Sequence, residues 1–113
     1  MQHYESKDSK FSRAIRKGAP DDFAAYAAMD QQVFAEEGHE LSLKTRELIA
    51  IAVAATTQCP HCIEKHASAA AKAGATEAEL SEAIMVASAL RAGGAITHGW
   101  MAMKYFQAEH GSD

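Results

Sequence analysis

Cys59 and Cys62 are the only cysteines of the chain, separated by Pro60 and His61, and His66 follows four residues after Cys62. Pro60 suits the first position of a helix, so the pair reads as a helix mouth, with Cys59 near the N-cap and Cys62 near the third helical position. Unpaired backbone N–H groups and the positive end of the helix dipole favour thiolate over thiol there. A Cys-x-x-Cys pair at a helix start can titrate below the free value of about 8.5. The two sulfurs can reach each other. His66 lies one turn beyond Cys62 on the same face, where it can hold or relay the proton that a thiol gives up. His61, between the cysteines, adds a local donor.

Plainer readings compete with a redox pair. The cysteines could be buried filler in an alanine-rich helix. A zinc site of Cys59, Cys62, His66 and a fourth ligand such as His98 has the right donor types, but there is no second paired motif, and three ligands from one turn crowd a tetrahedron. A thioredoxin-like domain needs a βαβ pattern around its cysteines, and no strands are visible. Glu47 is the acidic residue of an otherwise increasingly apolar stretch, Leu43 to Thr57. Its plain reading is a solvated first-turn carboxylate beside Lys44, Thr45 and Arg46, which read as exposed or capping. If it points inward, partial desolvation suits it to accept a thiol proton. Spacing leaves both open.

The elements that must position these residues are helices. Residues 1–19 form a polar arm or short helix that docks, ending at the Gly18-Ala19-Pro20 break. Residues 20–113 form one domain. A helix begins at Pro20 ahead of Asp21 and Asp22 and carries Phe23, Tyr26, Met29, Val33 and Phe34 at spacings of three and four to about Glu37. Gly38 ends it. Ser42 caps a central second helix over 43–57, and a third runs from Cys59 to Ala73, where Gly74 stops it. Thr76 with Glu79 makes a capping box for a fourth helix, with Leu80, Ile84, Ala87 and Leu90 or Arg91 on its apolar face, to a break at Gly93-Gly94. A fifth covers Ala95 to Phe106. Tyr26, Phe34, Trp100, Met101, Met103 and Phe106 are expected to seal a subunit interface in part. His98 reads as a subunit contact before a cleft residue, and His3, His39 and His110 as solvent-exposed.

Composition agrees. Of 113 residues 48% are apolar, 25 of them alanine, against nine Val and Ile together; alanine favours helix, and the β-branched residues that fill strands are scarce. The expected fold is an all-α, compact bundle of about five to six helices that oligomerises. Eleven basic against fifteen acidic side chains give a net charge of −4, no footprint for a phosphate backbone, so nucleic acid is not expected as a partner. No apolar run reaches the roughly 18 to 20 residues of a membrane span, and the polar start lacks the parts of a signal peptide. The expectation is a cytoplasmic protein without a membrane partner, in a reducing setting where paired cysteines are reactive or metal-binding before they are staples.

Glu47, eleven residues, Cys59-Pro-His-Cys62, three more and His66 resembles the signature of the alkylhydroperoxidase D-like group within the carboxymuconolactone decarboxylase family. The text from Thr45 to Ala54 and from His66 to Thr76 is similar to that family's core over roughly Leu41 to Ala92. The resemblance implies an all-helical trimer or hexamer that reduces hydroperoxides with no metal, flavin or other cofactor. Carried over by position, Glu47 is the proton acceptor, Cys59 and Cys62 the redox dithiol, His66 the relay and His61 the histidine inside the pair. On this reading Cys62 attacks the peroxide and Cys59 resolves the sulfenic acid to a disulfide. An external dithiol, a small redox protein or a lipoyl carrier, then reopens it. The rivals are a general thiol–disulfide oxidoreductase, a decarboxylase-like enzyme, against which the two thiols argue, and a non-catalytic zinc-stabilised helical assembly.

Overall fold

A computed structural model describes residues 4–111, and among these no strand occurs. After a 3-10 helix, Ser6–Phe11, come five α-helices: α1 Ser12–Gly18, α2 Pro20–Val33, α3 Leu43–Thr57, α4 Pro60–Lys72 and α5 Glu77–Glu109. His3 lies outside the described residues. The all-α expectation holds.

Local chemistry sets each boundary. Pro20 opens α2 with Asp21 and Asp22 in its first turn, where acidic groups meet the positive end of the helix dipole. That helix stops at Val33, one turn before the expected Glu37, and Arg46 of α3 explains the early stop. Its guanidinium donates to the carbonyls of Val33 at 2.6 Å and Ala35 at 2.8 Å, and its Nε to Leu41 at 3.1 Å. Arg46 was expected to be exposed or capping; it is buried and ties down the connection between two helices. Ser42 caps α3 by accepting the Thr45 N–H at 3.1 Å. Gln58 ends α3 in the left-handed region, φ 57°, and so turns the chain into Cys59 within two residues. Cys59 is the N-cap of α4, and Pro60 its first residue.

The expected break at Gly93-Gly94 is absent. α5 runs unbroken for 33 residues from a Thr76/Glu79 capping box, so the fourth and fifth helices are one. Interior glycine costs a helix only about 1 kcal/mol each relative to alanine, and neither glycine takes the positive φ of a C-cap. With no proline following, the alanine-rich flanks carry the helix through.

α3 is the centre. It packs against α4 on one side and α5 on the other, and α4 and α5 do not pack on each other. Lys44 at the start of α3 meets Glu79 at the start of α5 at 2.8 Å, while Thr56 near its end shares a cavity wall with Arg91. The two helices therefore run parallel, and α5 overhangs the end of α3 from about Gly93 on. The buried set among the described residues is small: Ile51, Ala54 and Ala70 with Arg46, Glu47 and His66. The radius of gyration, 19.2 Å, exceeds the roughly 13 Å of a compact domain near this length. Tyr26, Trp100, Met101, Met103 and Phe106 are all more than half exposed.

Candidate functional site

α4 carries the sulfur chemistry at its mouth. Cys59 and Cys62 are joined in a disulfide with Cα atoms 5.3 Å apart, both half-buried. The Cys59 sulfur accepts the backbone N–H of Cys62 at 3.3 Å, taking one of the donors that a helix N-terminus leaves unpaired. The same N–H would stabilise a Cys59 thiolate once the bond is opened.

One turn along α4, His66 is buried and bonded to Glu47 of α3, Nδ1 to Oε1 at 2.6 Å. They are 9% and 4% exposed, which decides the question that spacing left open: Glu47 points inward. With the carboxylate ionised, the imidazole donates from Nδ1 and keeps Nε2 as its free lone pair. Antiparallel packing of α3 and α4 pairs these residues. Phe34, just past the end of α2, lays its ring 4.6 Å from the His66 ring, centroid to centroid. It was expected at a subunit interface; here it is half-buried against the imidazole.

His61 is not brought to this pair. It is exposed, and its Nδ1 meets the Tyr4 hydroxyl at 3.2 Å, where the arm crosses α4. Ser6 donates to Glu64 beside it. The Tyr4 phenol is held above its ordinary 10.0, first by loss of hydration and then by the negative charges of Glu64 and Asp8. His98 lies on the overhang of α5, exposed, lining a cavity with Leu90, Arg91, Gly94 and Ala95. His110 is exposed, but His39 is half-buried, its Nδ1 3.0 Å from the Glu37 carbonyl.

Arg46 and Phe34 are the site's supports that sequence reasoning missed. Arg46 sits in a run of polar residues and carries no signal of burial; its Nη2 is buried with no partner among the described residues. Phe34 follows the helix whose end Arg46 fixes. Among the described residues no group of three or more His, Cys, Asp or Glu side chains is arranged to hold a metal ion.

An all-helical chain with a Cys-x-x-Cys helix mouth and a buried Glu–His pair one turn on defines a recognisable class. Residues 20–105 match the carboxymuconolactone decarboxylase family, and the chain belongs to it. It is similar to uncharacterised protein 4 in the cox locus of Paracoccus denitrificans, 47% identical over 74 residues, covering 66% of this chain and 65% of the relative. An uncharacterised protein of Haemophilus influenzae is 48% identical over 56 residues, 50% of this chain and 48% of its own length. The chain thus spans between about half and two thirds of the curated relatives it matches. In structure it is similar to a carboxymuconolactone decarboxylase family protein from Legionella pneumophila, crystallised in apo form, with a TM-score of 0.65 and 31% identity over 91% of each chain.

Proposed function

We propose that the protein is a thiol-dependent peroxidase of the alkylhydroperoxidase D-like kind. The observation that carries this reading is the buried Glu47–His66 hydrogen bond of 2.6 Å, one helical turn from a cysteine pair able to close into a disulfide. In the reduced protein His66, held by Glu47, takes the proton of Cys62. The thiolate attacks the terminal oxygen of a hydroperoxide: an S–O bond forms, the O–O bond breaks, and the leaving alkoxide takes a proton from the imidazolium. Cys59 attacks the resulting sulfenic acid, forming the disulfide and releasing water. A dithiol donor, a small redox protein or a lipoyl-type carrier, supplies two electrons by exchange and is itself left as a disulfide.

The donor's thiolate attacks the Cys62 sulfur on this account, because the leaving Cys59 is the one that accepts a helix N–H, and the better-stabilised thiolate leaves faster. His61 sits on the outer flank of α4 and takes no step. The assay is turnover of hydroperoxide with a dithiol donor. Cys59→Ser and Cys62→Ser should each abolish it, with sulfenic acid trapped in the first and not in the second; undiminished consumption by Cys62→Ser would overturn the assignment.

General thiol–disulfide exchange is the second reading, favoured by the half-exposure of the pair. It predicts faster reaction with a model disulfide than with peroxide. Self-assembly into a trimer or hexamer belongs to the proposal too, supported by the overhanging α5 and by apolar side chains that one copy leaves in water.

A further inference from the structure

Arg91 is solvent-exposed on the middle of α5. It lines three neighbouring cavities, and its guanidinium makes no ion pair or hydrogen bond with another described residue. The cavity of about 250 Å³ between the end of α3 and the middle of α5 has four polar side chains, of which two are already committed. Thr56 donates its hydroxyl to the Val53 carbonyl at 2.8 Å, and Ser88 to that of Ile84 at 3.1 Å. The uncommitted donors are the Arg91 guanidinium and the Gln58 carboxamide. Ile84 and Ala87 supply an apolar wall.

We propose that this cavity is an anion subsite that takes the carboxylate of an amphipathic organic substrate and holds its apolar body against α5. The subsite rests on the peroxidase reading for its purpose and deepens it by naming the substrate class, a hydroperoxide that also carries a carboxylate. Two donors with an apolar wall are complementary to a carboxylate on a hydrocarbon body, and a planar guanidinium binds that group through two parallel hydrogen bonds. Its place relative to the chemistry follows from the fold. α3 and α5 run parallel, so Arg91 stands level with the last turn of α3, and Gln58 is the residue directly before Cys59. Gln58 thus joins the subsite to the mouth of α4, where the cysteine pair sits.

The test uses a matched pair of probes, cumene hydroperoxide and its 4-carboxy derivative, on the full chain with a small dithiol as donor. Wild type should show the lower KM for the carboxylated probe. In Arg91→Gln the ratio of carboxylated to neutral KM should rise about tenfold, the scale of a lost charged hydrogen bond, and Arg91→Lys should restore part of it. An unchanged ratio in Arg91→Gln overturns the subsite while leaving the peroxidase reading intact. If neither probe is consumed by wild type, the peroxidase reading fails, and binding decides the subsite separately: 4-isopropylbenzoate should shift the side-chain amide resonances of Gln58 in wild type and not in Arg91→Gln. No shift in wild type sinks it.

Discussion

A carboxylate and an imidazole in a core this small carry a desolvation cost that only their mutual bond offsets. Replacing one partner of such a pair leaves the other buried and unmatched, which costs about 3–5 kcal/mol. Fold and function therefore need separate readouts at Glu47. Glu47→Gln keeps the shape and a hydrogen-bonding oxygen but cannot take up charge. We expect peroxide turnover to fall by about 10²- to 10⁴-fold, the usual share of proton transfer, in a protein whose melting point drops less than that of Glu47→Ala. A rate within threefold of wild type would remove Glu47 from the mechanism. Much of this site was legible: Cys59, Cys62 and His66 follow from spacing at a helix start. The direction of Glu47 was not, because an apolar run starting next to it places the residue near the boundary of a face and periodicity cannot assign it a side. Arg46 was illegible for a deeper reason, since its partners are backbone carbonyls, which leave no trace in side-chain pattern.

Between elements, two ties fix how the helices meet. Arg46 donates to three carbonyls between the end of α2 and the start of α3, so Arg46→Met should destabilise the protein by about 2–4 kcal/mol, the scale of several polar groups left unmatched, read as a lower urea midpoint at unchanged slope. Loss below 1 kcal/mol would mean that water replaces the guanidinium without cost. At the same end of α3, Glu79 caps α5 and bonds Lys44. Its carboxyl is held below the usual 4.5, chiefly by the Lys44 ammonium and then by the Thr76 N–H. The folded value lies under the unfolded one, so the stabilisation is present above pH 4.5 and is lost as pH falls through the folded value. Thermal midpoints should drop below pH 4.5 in wild type and drop less in Glu79→Gln; equal slopes would show the capping box to be idle. Capping patterns at Ser42, Cys59 and Thr76 were readable because a cap is a local event. The continuity of α5 was not, because a glycine pair marks a helix end only when the chain also turns there, and nothing within the pair says whether it does.

For the whole molecule, helical content was open to composition, but shape was not. Alanine buries little area per residue, and the chain's fold leaves Trp100, Met101, Met103 and Phe106 on an overhang that one copy cannot cover. Light scattering at micromolar concentration should therefore give a multiple of the 12.1 kDa chain mass, a trimer or hexamer, and Trp100→Glu should reduce it; a monomer in the unmodified protein would contradict assembly. Assembly, caps and buried pair all serve one event on the proposed account, the closing and opening of a single sulfur–sulfur bond. The most direct measurement is mass spectrometry of the fully reduced protein before and after one equivalent of an organic hydroperoxide. The account predicts loss of two hydrogens from the peptide spanning Cys59 and Cys62, with one equivalent of alcohol released. Unchanged thiols after the peroxide is added would contradict it.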